Sequence, residues 1–147
     1  MVLASINQLH KEYTIEQGDF LKAGEASSAI KQILRQLGVD AGVLRRVSIA
    51  AYEAELNMVI HSFGGTVTVN ISPHDVVLEF ADTGPGIEDV ELAMQDGYST
   101  ASEEVRNMGF GAGLGMRNIK RCCDGMNIAS SPGGTTLTLS FLVSTPI

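Results

Sequence analysis

Gly109-Phe110-Gly111-Ala112-Gly113-Leu114-Gly115 sets a glycine at every second position immediately before a stretch with helical character. Glycine brings no side chain to bury and loses the most backbone freedom on ordering, so such a run suits neither a strand nor a helix interior. It reads as a loop whose bare backbone amides face the start of a helix, where the helix dipole also favours negative charge. That combination suits phosphate oxygens. Two common phosphate loops do not fit. Met116-Arg117 follows the last glycine where a P-loop needs Lys-Ser or Lys-Thr, and the polar segment ASEEVRN enters the run where a dinucleotide fold needs an apolar strand.

Around this loop the chain alternates between two periodicities. Residues 11–16 (KEYTIE) predict a strand that ends at a Gly18-Asp19 turn. Phe20, Ala23, Ala26, Ile30, Ile33, Leu34 and Leu37 recur at helical spacing, predicting a helix over Asp19–Leu37 stopped by Gly38. Asp40 is placed to cap a second helix that runs to about Ser62 and closes at Gly64-Gly65. Thr66–Ser72 and Val76–Ala81 form a hairpin around Pro73-His74-Asp75. A short helix near Asp89–Gln95, a loop over residues 96–113 and a helix over 114–124 follow. Met126–Ser131 and Thr135–Val143 then pair around Pro132-Gly133-Gly134. With no repeat and no linker, this order predicts one domain over residues 1–147. The fold class is α/β (α+β), a two-layer sandwich with one mixed, mostly antiparallel sheet covered on one face by helices.

Two further motifs carry chemistry. Glu53 and Asn57 are four apart on the second helix and so share a face, which His61 extends by a turn. Ile49, Tyr52, Leu56, Val59 and Ile60 supply the adjoining apolar stripe. An amide oxygen is a hard ligand suited to magnesium, and a carboxylate can orient and deprotonate a hydroxyl. A solvated helix face would hold the same pair, and His61 near the helix C-terminus suits the dipole. Asp82-Thr83-Gly84-Pro85-Gly86 directly follows the apolar strand VVLEFA. A carboxylate at a strand end can accept a hydrogen bond from an exocyclic amine such as adenine's, and the glycines let a planar ligand approach. An ordinary strand-to-helix turn uses the same residues.

The order of these features is more specific than any one of them. Glu-x-x-x-Asn on a helix, Asp-x-Gly-x-Gly after a strand, Gly-x-Gly-x-Gly before a helix and Gly134-Thr135-Thr136 opening the last strand together resemble the GHKL ATPase superfamily over about residues 10–143. That superfamily includes type II topoisomerases, mismatch-repair ATPases, sensor histidine kinases and bacterial anti-sigma serine kinases. The short chain and the stretch DTGPGIEDVELAMQDGYST are most similar to the anti-sigma and switch serine/threonine kinases of bacterial stress-response and sporulation pathways. The resemblance implies ATP and magnesium as cofactors. It implies that Asn57 ligates the metal, Glu53 is the general base and Asp82 binds the adenine amine. Gly84 and Gly86 would shape the adenine pocket, and Thr135 would help hold the base. Gly111, Gly113, Leu114 and Gly115 would meet the phosphates through their amides. It further implies a STAS-domain anti-anti-sigma protein as phosphate acceptor, and a sigma factor or other regulator as a second partner. One departure is the charged insert TASEEVRNM between Ser99 and Gly109, which lengthens the expected ATP lid and carries Glu103 and Glu104.

Composition narrows the alternatives. The net charge of −7 disfavours nucleic acid as main ligand, since phosphate backbones select clustered Lys and Arg. Lys22, Lys31, Arg35, Arg45 and Arg46 nonetheless gather in the first half, as a docking face for an acidic partner or as solvated helix surface. No apolar run approaches a membrane span and no signal segment opens the chain, which implies a cytoplasmic protein. Adjacent Cys122 and Cys123 form neither a disulfide framework nor a zinc site, and read as reduced helix residues with redox sensing as the alternative. Besides the kinase, two readings stay open: a nucleotide-gated anti-sigma binding module without transfer, and a detached ATPase domain of a sensor histidine kinase. The last is disfavoured, since the residues before His10 are too few for a phosphoacceptor hairpin. No apolar surface stripe compels a homodimer, which stays open.

Overall fold

The longest element is written at both of its ends. In the computed structural model, which describes residues 8–19, 21–84 and 115–143, helix α2 spans Ala41–His61. The Asp40 carboxylate caps it, accepting from the backbone N–H of Gly42 at 3.0 Å and of Val43 at 3.4 Å. At the far end the Ser62 hydroxyl donates to the Met58 carbonyl at 2.6 Å and accepts from the Gly64 N–H at 3.0 Å. Gly64 and Gly65 are thus already the first residues of a strand.

Helix α1 spans Glu25–Gln36, beginning six residues later than its apolar spacing suggests. Residues 21–24 are a turn in which Gly24 takes a left-handed φ of 98°, and Tyr52 packs over the space where a Cβ would stand. The cap comes from elsewhere in the chain. Glu55 accepts the backbone N–H of Gly24 at 2.8 Å, of Ser27 at 2.9 Å and of Ala26 at 3.3 Å. These are orphan donors of the first turn, satisfied by a carboxylate of α2. Helix α3 spans Gly115–Cys122.

Five strands form one sheet: β1 (Leu9–Glu16), β2 (Gly64–Ile71), β3 (Asp75–Asp82), β4 (Gly125–Ser131) and β5 (Gly134–Leu142). Their spatial order is β1-β2-β3-β5-β4, and every pairing is antiparallel, so the sheet expected to be mixed has no parallel pair among the described strands. Period-two alternation sends one face inward. Val67, Phe80 and Leu137 make one cross-strand row, Val69, Leu78 and Leu139 the next, and Ile71, Val76 and Phe141 the third. All nine are buried, against Ile30 and Leu34 of α1, Val47, Ala50, Ala51 and Ala54 of α2, and Ile119 of α3. The small alanines let α2 lie close to the sheet between its two companions. Outward-facing neighbours (Thr66, Thr68, Thr136, Thr138) are polar, as a solvated sheet face requires.

Two members of the expected apolar stripe on α2 are not core. Ile49 and Tyr52 are 38% and 42% exposed, while Leu56 and Val59 are buried. The buried face is set by Val43, Val47, Ala50, Ala54 and Met58 instead. Arg46 ties α2 to the far end of α3, donating to the Cys122 carbonyl at 3.3 Å and lying 3.5 Å from Asp124 Oδ1. Both cysteines are free thiols. Among the described residues, no helix is long and apolar enough to cross a membrane. The expected helix near Asp89–Gln95 and the loop with its insert lie outside the described residues.

Candidate nucleotide site

The end of β3 is hemmed in by glycine on both sides. Gly65 of β2 is the register partner of Asp82, and a Cβ there would collide with the Ala81 carbonyl oxygen. On the other flank Gly134, with φ 153°, lies so close that a Cβ would collide with the Asp82 carbonyl oxygen. The chain leaving the strand is then fixed by three backbone hydrogen bonds. Phe63 N–H donates to the Thr83 carbonyl at 2.8 Å, Thr83 N–H to Gly64 at 3.0 Å and Gly84 N–H to Gly133 at 3.3 Å. Asp82, Thr83 and Gly84 therefore thread between the α2–β2 junction and the β4–β5 turn.

Within that clamp the Asp82 carboxylate is half-buried. Its Oδ1 accepts the Thr135 backbone N–H at 2.9 Å. Burial raises its pKa above the ordinary carboxylate value, and the Thr135 hydrogen bond offsets part of the rise. One oxygen is spoken for, which leaves Oδ2 to accept from a ligand amine. Thr135 is itself held, its hydroxyl 2.9 Å from that of Ser130 on the adjacent strand. Gly84, with φ 153°, lets the chain pass close to the α2–β2 junction, since a Cβ there would stand 3.3 Å from Ser62 Cα and 3.4 Å from Phe63 N.

The second half of the site lies along α2. Asn57 is five residues before Ser62 and Glu53 nine, so they sit about 7 and 13 Å up the helix axis from the clamp. Both are half-buried against α3. Asn57 Nδ2 donates to Met116 Sδ at 3.6 Å, which turns its carbonyl oxygen away as an acceptor or ligand. The Glu53 carboxylate is raised in pKa by burial, and a hydrogen bond from the Asn118 side chain opposes the rise. A carboxylate of strengthened proton affinity beside an amide oxygen can take a hydroxyl proton and hold a hard cation. Among the described residues, no cluster of three or more His, Cys, Asp and Glu could hold a metal ion. This donor set fits magnesium, which keeps several waters and takes one or two protein ligands beside phosphate oxygens.

The structure thus brings Asp82, Gly84 and Thr135 into one cluster at the end of β3, and Glu53 and Asn57 into another where α2 meets α3. Gly86, Gly111, Gly113 and Leu114 lie outside the described residues. Gly115, the last glycine of the run, is the first described residue of α3. The His61 side chain likewise lies outside what the structure describes. Sequence reasoning missed Asn118, Met116 and Ser130, which orient the site residues. It read Gly65 as a helix stop rather than as the close neighbour of Asp82. The pairing of two glycines against one strand end had a signal, Gly64-Gly65 and Gly133-Gly134, but the contacts of Asn118 and Met116 had none.

Residues 21–141 match the family of histidine kinase-like ATPase domains. Among named relatives, the chain is 32% identical over 117 residues to an anti-sigma F factor of Thermoanaerobacter sp. strain X514, covering 76% of this chain and 78% of that one. It is 28% identical over 142 residues to an anti-sigma F factor of Bacillus velezensis, covering 91% of each. Among solved structures, a Mycobacterium tuberculosis protein with RsbU and RsbW domains shares the fold with a TM-score of 0.62 at 18% identity. That match covers 96% of this chain and 34% of the other.

Proposed function

The chain belongs to the family of histidine kinase-like ATPase domains and, within it, to the group of the anti-sigma F factors; from that premise we propose that it is a single-domain cytoplasmic serine/threonine protein kinase. It uses magnesium and ATP to phosphorylate a small STAS-domain regulator, and it holds a sigma factor as its second partner. The observation that carries the reading is the pairing of Glu53 and Asn57 with α3, the helix entered directly from the glycine run. Glu53 and Asn57 thereby face the helix whose first described residue, Gly115, is the last glycine of that run.

Each residue has a physical task. Asp82 Oδ2 accepts the adenine amine while Oδ1 stays on Thr135, and Gly84 and Gly86 leave room for the ring. The amides of Gly111, Gly113, Leu114 and Gly115 cradle the phosphates at the start of α3. Asn57 would hold magnesium through its carbonyl oxygen, and the metal would supply positive charge against that of the phosphates. Glu53 accepts the proton of the partner's serine or threonine hydroxyl and aligns its oxygen for in-line attack.

Calorimetry with Mg·ATP and transfer of labelled γ-phosphate to STAS-domain proteins test this division of labour. Asp82→Asn is expected to lose most of the binding. Glu53→Gln is expected to bind normally and to transfer at least about a hundredfold more slowly. Equal loss of ATP affinity in the two variants would refute the separate roles. Nucleotide-dependent capture of a sigma factor without any transfer would instead leave a nucleotide-gated binding module.

A further inference from the structure

Glu53 is restrained from outside its own helix. Its carboxylate accepts from the Asn118 side chain of α3. Two more polar rungs join the same helices: Asn57 to Met116 at 3.6 Å, and Arg46 to the Cys122 carbonyl at 3.3 Å. As the α2 numbers fall through 57, 53 and 46, the α3 numbers rise through 116, 118 and 122. The helices therefore run antiparallel in one fixed register. Ile119, fully buried, pins α3 beside the middle rung. A slip of α3 by one turn would break all three rungs at once.

A glutamate on a helix surface samples several rotamers, and a base that wanders is a poor base. One fixed donor selects a rotamer. The chemistry of that donor matters too. A lysine or arginine in its place would hold the carboxylate equally well but would depress its basicity through an opposite charge. The neutral amide restrains Glu53 and leaves its remaining lone pairs to a hydroxyl.

We propose that Asn118 is a positioning residue, whose amide aims the Glu53 carboxylate at the acceptor hydroxyl and makes that aim depend on the register of α3 against α2. This rests on Glu53 being the general base. Asn118 acts only through Glu53 and contributes nothing to nucleotide affinity.

A double-mutant cycle isolates the effect. Phosphate transfer to a STAS-domain acceptor is measured for wild type, Asn118→Leu, Glu53→Gln and the double variant, with Mg·ATP affinity by calorimetry for each. The leucine fills the same space without a donor. Asn118→Leu should lower kcat about tenfold to a hundredfold while ATP affinity stays within about twofold, and should change little in the Glu53→Gln background. In nitrogen-15 spectra without nucleotide, the Asn118 side-chain amide should shift on Glu53→Gln. Equal losses of kcat in both backgrounds, a parallel loss of ATP affinity, or an unmoved amide would each overturn the inference while leaving the kinase reading standing. A wild type that binds ATP but transfers phosphate to no acceptor would overturn that reading, and the inference with it.

Discussion

At the scale of a residue, Asp82 is a carboxylate where the fold alone would do better with an amide. Burial raises its pKa, so the folded state holds its proton more tightly than the unfolded chain does. A carboxyl shifted that way supports folding fully only below its unfolded pKa, and that support is lost as pH rises through the raised folded value. At neutral pH the ionised group is therefore a net burden on the apo protein. Asparagine would retain an oxygen for the Thr135 N–H and remove the buried charge. Thermal melts without nucleotide should find Asp82→Asn at least as stable as wild type near pH 7, with the difference shrinking toward about pH 4 as the native carboxyl protonates. A variant that melts well below wild type at neutral pH would show instead that the charge itself holds the strand end together.

At the scale of elements, α1 depends on α2 for its beginning. Glu55 is only 1% exposed and accepts three backbone N–H groups of the first turn of α1. Glu55→Ala would strand those donors in the interior. Denaturant unfolding should record a loss of about 3 kcal/mol, the scale of charge-assisted hydrogen bonds left unmade, with hydrogen exchange fastest at Gly24–Ser27. A loss below about 1 kcal/mol would mean that water caps the turn equally well. The same contact explains what the sequence could and could not reveal. Both ends of α2 were legible because Asp40 and Ser62–Gly64 act within a few residues of the helix they bound. The start of α1 was not, because its cap arrives from a residue 31 positions later that periodicity cannot connect to it. Both hairpins were legible from alternation and turn residues, whereas the adjacency of β3 and β5 comes from matching apolar rows in distant segments. Likewise Glu53, Asn57, Asp82 and Thr135 could be picked out by the order of their motifs. Asn118 and Met116 could not, since a contact such as that between Asn57 and Met116 spans 59 residues and leaves no local spacing to read.

At the scale of the whole molecule, both clusters of the site are seams. Residues 8–84 and 115–143 meet along β3 and β5 and along α2 and α3, and the site residues sit on those two lines. Asp82 meets Thr135 across the sheet seam, and Glu53 meets Asn118 across the helical one. A ligand that engages both clusters binds only when both seams are closed, so it is a ligand of the native state and stabilises it by mass action. At a free concentration one hundred times Kd, Mg·ATP should add about 2.7 kcal/mol, or roughly 5–10 °C in Tm for a domain of this size. Asp82→Asn should abolish most of that shift even where its own apo Tm is unchanged or higher, because the loss is of binding and not of folding. Differential scanning fluorimetry with and without Mg·ATP decides it. A nucleotide-induced shift equal in the variant and the wild type would place the ligand elsewhere on the protein. A shift confined to the wild type would tie the cost of the buried Asp82 charge to the ligand that makes use of it.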